Sequence, residues 1–77
     1  MIYRGSFDKD DFNGHGELVI SKDKKYVGDF VGGRFNGRGI WYLPDDERYE
    51  GEFVNDYREG HGIYYFYNND RYEGNFI

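Results

Sequence analysis

Three Gly-X-Gly triplets are the first residues in this 77-residue chain that could do chemistry: Gly14-His15-Gly16, Gly37-Arg38-Gly39 and Gly60-His61-Gly62. Glycine triplets suggest a phosphate cradle. Such cradles lie between a strand and the start of a helix, whose N-terminus holds the phosphate. Here the triplets lead into strand-like segments, and no Gly-Lys-Ser/Thr follows them. His15 and His61 suggest a metal. They lie two units of an internal repeat apart, so in a hairpin array about 19 Å would separate them. Ligands at about 2 Å from one ion cannot span that distance. Arg38 occupies the same column between them, as expected of a solvent-facing polar position. Carboxylates are plentiful, but Asp29, Glu50, Glu52 and Glu73 fall at the variable, alternate positions of strands. A row on a sheet face reads as a solvated, edge-protecting surface, whereas paired catalytic carboxylates need a cleft that shifts their protonation. Ser6 and Ser21 are the only aliphatic hydroxyls, and no base is placed beside either by a recognisable pattern. The expectation is no catalytic residue, no metal and no cofactor.

Composition points the same way. The chain has no Cys, so disulfides, zinc clusters and thiol nucleophiles are excluded together. Fifteen acidic and ten basic residues leave a net charge of -5. That balance opposes non-specific binding to nucleic acid or to anionic membranes. Basic charge clusters at Lys22, Lys24 and Lys25. No stretch approaches the roughly 20 apolar residues of a membrane span, and the first residues, MIYRGSFDKDD, do not have the form of a signal peptide. A cytoplasmic setting is the expectation. Nine Tyr, seven Phe and one Trp, with no Ala and twelve Gly, favour strands over helices.

The elements that position these residues come from a repeat. Shifted by 23 residues, the chain aligns with itself without a gap. Tyr3, Tyr26, Tyr49 and Tyr72 share one column. Gly5, Gly28, Gly51 and Gly74 share a second, and Phe7, Phe30, Phe53 and Phe76 a third. Gly16, Gly39 and Gly62 form a fourth, followed by Leu18, Trp41 and Tyr64, then Ile20, Leu43 and Phe66. Both halves of each unit have period two, so the repeated residues share one face of a strand. Each unit is expected to be a β-hairpin. Strands are predicted near 2–8, 15–20, 25–31, 38–43, 48–54, 61–67 and 71–76, with Asn13-Gly14 and Asn36-Gly37 as turns before the second strands. The strand glycines are expected to leave room for neighbouring rings.

The columns resemble the MORN repeat (membrane occupation and recognition nexus), whose unit also has 23 residues. YVGDFVGGRFNGRGIWYLPDDER and YEGEFVNDYREGHGIYYFYNNDR match it closely, YRGSFDKDDFNGHGELVISKDKK more weakly, and YEGNFI opens a fourth unit. The units are thus 3–25, 26–48, 49–71 and a partial 72–77. Departures occur at the turns. Asp23, Asp46 and Asn69 replace a family glycine between units, and Asp10 and Asp56 replace the one that Gly33 keeps. Asp and Asn tolerate left-handed backbone best among non-glycine residues.

The expected fold is all-β: a single-layer, elongated, open-ended antiparallel sheet of consecutive 23-residue hairpins, with about seven strands. Its repeated face carries Tyr26, Phe30, Trp41, Tyr49, Phe53 and Tyr64, the candidate partner-binding residues. A contiguous aromatic strip marks either a core or an interaction site. The other face carries a smaller apolar strip of Val27, Ile40, Tyr42, Ile63 and Tyr65. The resemblance implies a scaffold that binds an extended or helical protein segment, in cytoskeletal, ciliary or membrane-adjacent assemblies. The rival readings are an anionic-phospholipid module, with membrane contact the less favoured, and a regulatory arm of a larger enzyme. Nucleic acid is not an expected partner. The last strand presents an unpaired edge, where the array is expected to continue or to meet another repeat chain.

Overall fold

Aromatic and β-branched residues at alternate positions drive seven strands, and short turns join them in sequence. In the computed structural model, which describes residues 1–76, the strands are β1 (Ile2–Asp8), β2 (Asp11–Ser21), β3 (Lys24–Val31), β4 (Arg34–Tyr42), β5 (Arg48–Val54), β6 (Tyr57–Tyr65) and β7 (Arg71–Phe76). They form one open antiparallel sheet in the order β1-β2-β3-β4-β5-β6-β7. Residue 77, the last of the expected partial unit, lies outside the described residues. The only helical turn among the described residues is Pro44–Asp46, a 3-10 turn between β4 and β5. The sheet measures 40 × 27 × 14 Å across its Cα atoms, so it is twisted rather than flat.

The hairpin turns do not lie at Asn13-Gly14 and Asn36-Gly37. They lie four residues earlier, at Lys9-Asp10, Gly32-Gly33 and Asn55-Asp56, so β2, β4 and β6 each begin earlier than periodicity suggested. Both central residues of each turn have positive φ, from 48° to 82°. That is the geometry of two-residue turns whose twist matches that of the strands. The Asn-Gly pairs instead form bulges. Gly28 pairs with Gly39 and Phe30 with Phe35, so Asp29 alone faces residues 36–38. Units one and three repeat this mismatch. Gly37 has φ 106° at the bulge, a left-handed value that favours glycine. The strands on either side of a unit boundary are tied there. Gly33 N–H donates to the Phe12 carbonyl and Asp56 N–H to the Phe35 carbonyl, both at 2.9 Å.

Between units, Asp46 and Asn69 take left-handed backbone, at φ 62° and 72°. Asp23 does not. There, Val19 pairs with Lys25 and Ser21 with Lys24, which leaves Ile20 bulged. That bulge supplies the twist that a left-handed turn would otherwise give.

The core is one aromatic face of a single sheet. Tyr26 and Tyr49 are fully buried, and Phe30 and Phe53 are 1% and 3% exposed. Glycine pairs make this possible. Gly39 faces Gly28 across the ladder, and the Tyr26 ring lies over both. A Cβ on Gly62 would sit 2.5 Å from the Tyr49 ring. In the three full units the tyrosine hydroxyl crosses its strand to donate to the carbonyl three residues on: Tyr3 to Ser6 at 2.7 Å, Tyr26 to Asp29 at 2.9 Å, Tyr49 to Glu52 at 3.1 Å. This gives the column a reason to hold Tyr rather than Phe, because a buried hydroxyl needs a partner.

Candidate interaction trough

The aromatic face is not uniform. Within it the rings follow a repeating contact rule. A unit's Tyr meets the Phe of its own β-strand edge to face, as Tyr26 meets Phe30 at 5.1 Å. It also meets the Phe of the next unit: Tyr3 with Phe30, Tyr26 with Phe53 and Tyr49 with Phe76. Edge-to-face pairs of this kind are favourable beyond their buried area. A further ring lies flat on the Tyr. Phe12 stacks on Tyr3 at 3.9 Å and Phe35 stacks on Tyr26 at 3.9 Å, with planes 8° and 6° apart.

This stacking column, residues 12, 35 and 58, continues as arginine. It is the feature that sequence reasoning missed, although its spacing of 23 residues was visible. Arg58 leaves Tyr49 without a stacked ring. Its guanidinium carbon instead lies 5.8 Å from the Tyr49 ring, 5.6 Å from Tyr64 and 5.7 Å from Phe76. Beside it opens a cavity of about 390 Å³ lined by Phe35, Trp41, Leu43, Tyr57, Arg58 and Tyr64, with Phe53 and Asp56 also bordering it.

The six expected partner-binding residues therefore divide. Tyr26, Phe30, Tyr49 and Phe53 form the floor and are buried by the sheet's own rings, with Phe53 at the bottom of the cavity. Trp41 and Tyr64 are half-buried and line the cavity. Tyr64 donates its hydroxyl to Glu47 Oε1 at 2.8 Å, which fixes its ring as a wall. Burial, with this carboxylate's help, pushes the Tyr64 phenol above its ordinary pKa. Burial does the same to Tyr26, reinforced by the Asp29 charge. It also raises Tyr49, where Arg58 pulls the other way. Leu43 and Phe35 join the trough without having been singled out.

The opposite face carries most of the charge, in pairs that run across strands except for Arg48 and Glu50, neighbours on β5. Glu17 lies between Arg4 and Lys25 at 3.6 and 3.4 Å, Arg38 faces Glu52 at 3.9 Å, and Arg48 binds Glu50 at 2.7 Å. His15 lies 3.6 Å from Asp29 and His61 3.4 Å from Glu73. Among the described residues no group of three or more His, Asp and Glu side chains could hold a metal ion. Lys22, Lys24 and Lys25 border a second cavity together with Asp45, Asp46 and Glu47, so that end of the sheet has mixed charge.

Comparison with known proteins agrees with the geometry. The MORN repeat family model matches residues 3–22, 26–48 and 49–71. No curated protein matches the chain significantly.

Proposed function

This chain belongs to the MORN repeat family, and we propose that it is a non-catalytic protein-interaction module. It holds an extended or helical segment of a partner protein along the aromatic trough. The observation that carries this reading is the trough itself. Phe35, Trp41, Leu43 and Tyr64, with the polar Asp56 and Arg58, border a cavity of about 390 Å³ on the aromatic face, and a second opening lined by Tyr64, Phe66, Tyr72 and Phe76 continues from it past Arg58. Aromatic walls with a few fixed polar groups are the usual make-up of a recognition surface. Floor residues support the walls, and the partner meets Trp41 and Tyr64. A role within a larger cytoskeletal, ciliary or membrane-adjacent assembly, in the cytoplasm, fits a repeat sheet of this kind.

The phospholipid reading has less support. The basic cluster shares its cavity with four carboxylates, Asp23, Asp45, Asp46 and Glu47, and Lys25 is engaged with Glu17. A photo-crosslinking residue placed at position 43, in the trough, or at position 42, on the other face, tests the proposal in cells. The expected result is protein crosslinks from position 43 and few from position 42. Crosslinks only from position 42 would overturn the choice of face, and crosslinks to lipid from position 43 would favour the membrane reading. Vesicles rich in phosphatidylserine are expected not to sediment the chain at physiological salt.

A further inference from the structure

We infer that the trough selects an acidic segment, with Arg58 as the anchor for its carboxylate. This rests on the reading of the trough as a peptide-binding face and adds the chemistry of the occupant. Arg58 stands where Phe12 and Phe35 stack on the tyrosines of the first two units. The substitution costs the third unit a flat aromatic stack and leaves an exposed cation on the one face otherwise given to rings. Among the described residues, no carboxylate lies within 4.0 Å of Arg58. On the opposite face, Arg4, Lys25, Arg38 and Arg48 all have one. Asp56 borders the same cavity, but its carboxylate is not paired with Arg58, and its Oδ1 accepts the Phe35 N–H at 2.9 Å. Three rings stand 5.6–5.8 Å from the guanidinium carbon, close enough to orient it but not to occupy its donors.

A planar fork of N–H donors matches a carboxylate in bidentate fashion. Apolar walls around it thin the water and strengthen that pairing. Trp41, Leu43 and Tyr64 continue directly from Arg58 along the same cavity. The occupant that fits is a peptide with an aromatic or aliphatic side chain close to an Asp or Glu. The chain's net charge of -5 repels acidic peptides at long range. A preference for acidic residues therefore has to arise locally.

The test is selection from a random displayed-peptide library against the native chain, Arg58→Phe and Arg58→Gln. Trp41, the chain's single tryptophan, reports binding of the synthesised winners by fluorescence. The native chain is expected to enrich an acidic residue at a constant spacing from an apolar one. Arg58→Gln is expected to keep the apolar preference and lose the acidic one, with affinity for the acidic winner reduced about tenfold. Arg58→Phe, which restores the stack on Tyr49, is expected to lose the acidic preference as well. Near-ultraviolet circular dichroism checks that each variant remains folded, and Arg58→Gln serves if Arg58→Phe does not. Winners without acidic enrichment, or acidic winners bound equally by the variants, would overturn the anchor and leave the trough reading standing. No enrichment by any of the three proteins would overturn both.

Discussion

The second and third units share a backbone and differ in how they close it. In the second, Phe35 lies flat on Tyr26 and seals it. In the third, Arg58 stands off from Tyr49 and the surface opens beside Tyr64 and Trp41. The glycine pair, the edge-to-face rings and the bulge are common to both. One position on a shared frame therefore separates core from candidate binding surface. A repeat can change its surface this way without disturbing its fold, because the stacking residue is the outermost layer of the ring system.

The largest effect should come from breaking what the two units share. Gly39→Ala and Gly62→Ala each drive a Cβ into a buried tyrosine ring. Each is expected to destabilise the sheet by about 3 kcal/mol, read as a fall in urea midpoint. Equal tolerance of both substitutions would show that the rings can move aside and that the shared frame is softer than described.

Exchanging the distinctive residue should come next. Phe35→Arg removes the stack on Tyr26 and is expected to cost about 2 kcal/mol. Arg58→Phe restores a stack in the third unit and is expected to add about 1 kcal/mol. Thermal unfolding of the two variants reads the contrast directly. If Arg58→Phe were destabilising, the third unit would differ from the second by more than this side chain.

The smallest effect separates the two tyrosines by charge. Folding raises the Tyr26 phenol above its unfolded value of about 10, chiefly by burial. The native state then keeps a proton that the unfolded state releases. The stability this supplies is complete below about pH 10 and falls as pH rises beyond it, by up to about 1.4 kcal/mol per pH unit for one group. Burial raises Tyr49 too, but its hydrogen bond to the Glu52 carbonyl and then the Arg58 charge oppose the rise. Tyr26→Phe should therefore flatten the loss of stability between pH 10 and 11 more than Tyr49→Phe does. Urea titrations across that range measure the difference, and equal slopes would remove the electrostatic contrast between the units.

Much of this was legible in the residues. The Tyr, Gly and Phe columns placed β1, β3, β5 and β7 nearly to the residue, because period two assigns each position to one face. The second strands were harder. Asn13-Gly14 and Asn36-Gly37 carry the dipeptide preferred in turns, yet the same left-handed glycine serves a bulge. Local preference does not distinguish the two uses. The pairing of Phe30 with Phe35 does, and it places the turn at Gly32-Gly33. Among the site residues, Trp41 and Tyr64 were recognised as members of the aromatic strip. That the other four lie beneath it depends on rings brought in from the neighbouring unit.

By itself the sequence determined the repeat length, the all-β class and the face to which each column belongs. These follow from residue type and spacing along one strand. Only the tertiary structure decided which rings become floor and which become wall, because burial in a single-layer sheet is set by the adjacent strands. It also decided the meaning of Arg58. In the chain it is one more charge among 25. In the sheet it is the cation in the place of a stacked phenylalanine, beside the opening that a partner would fill.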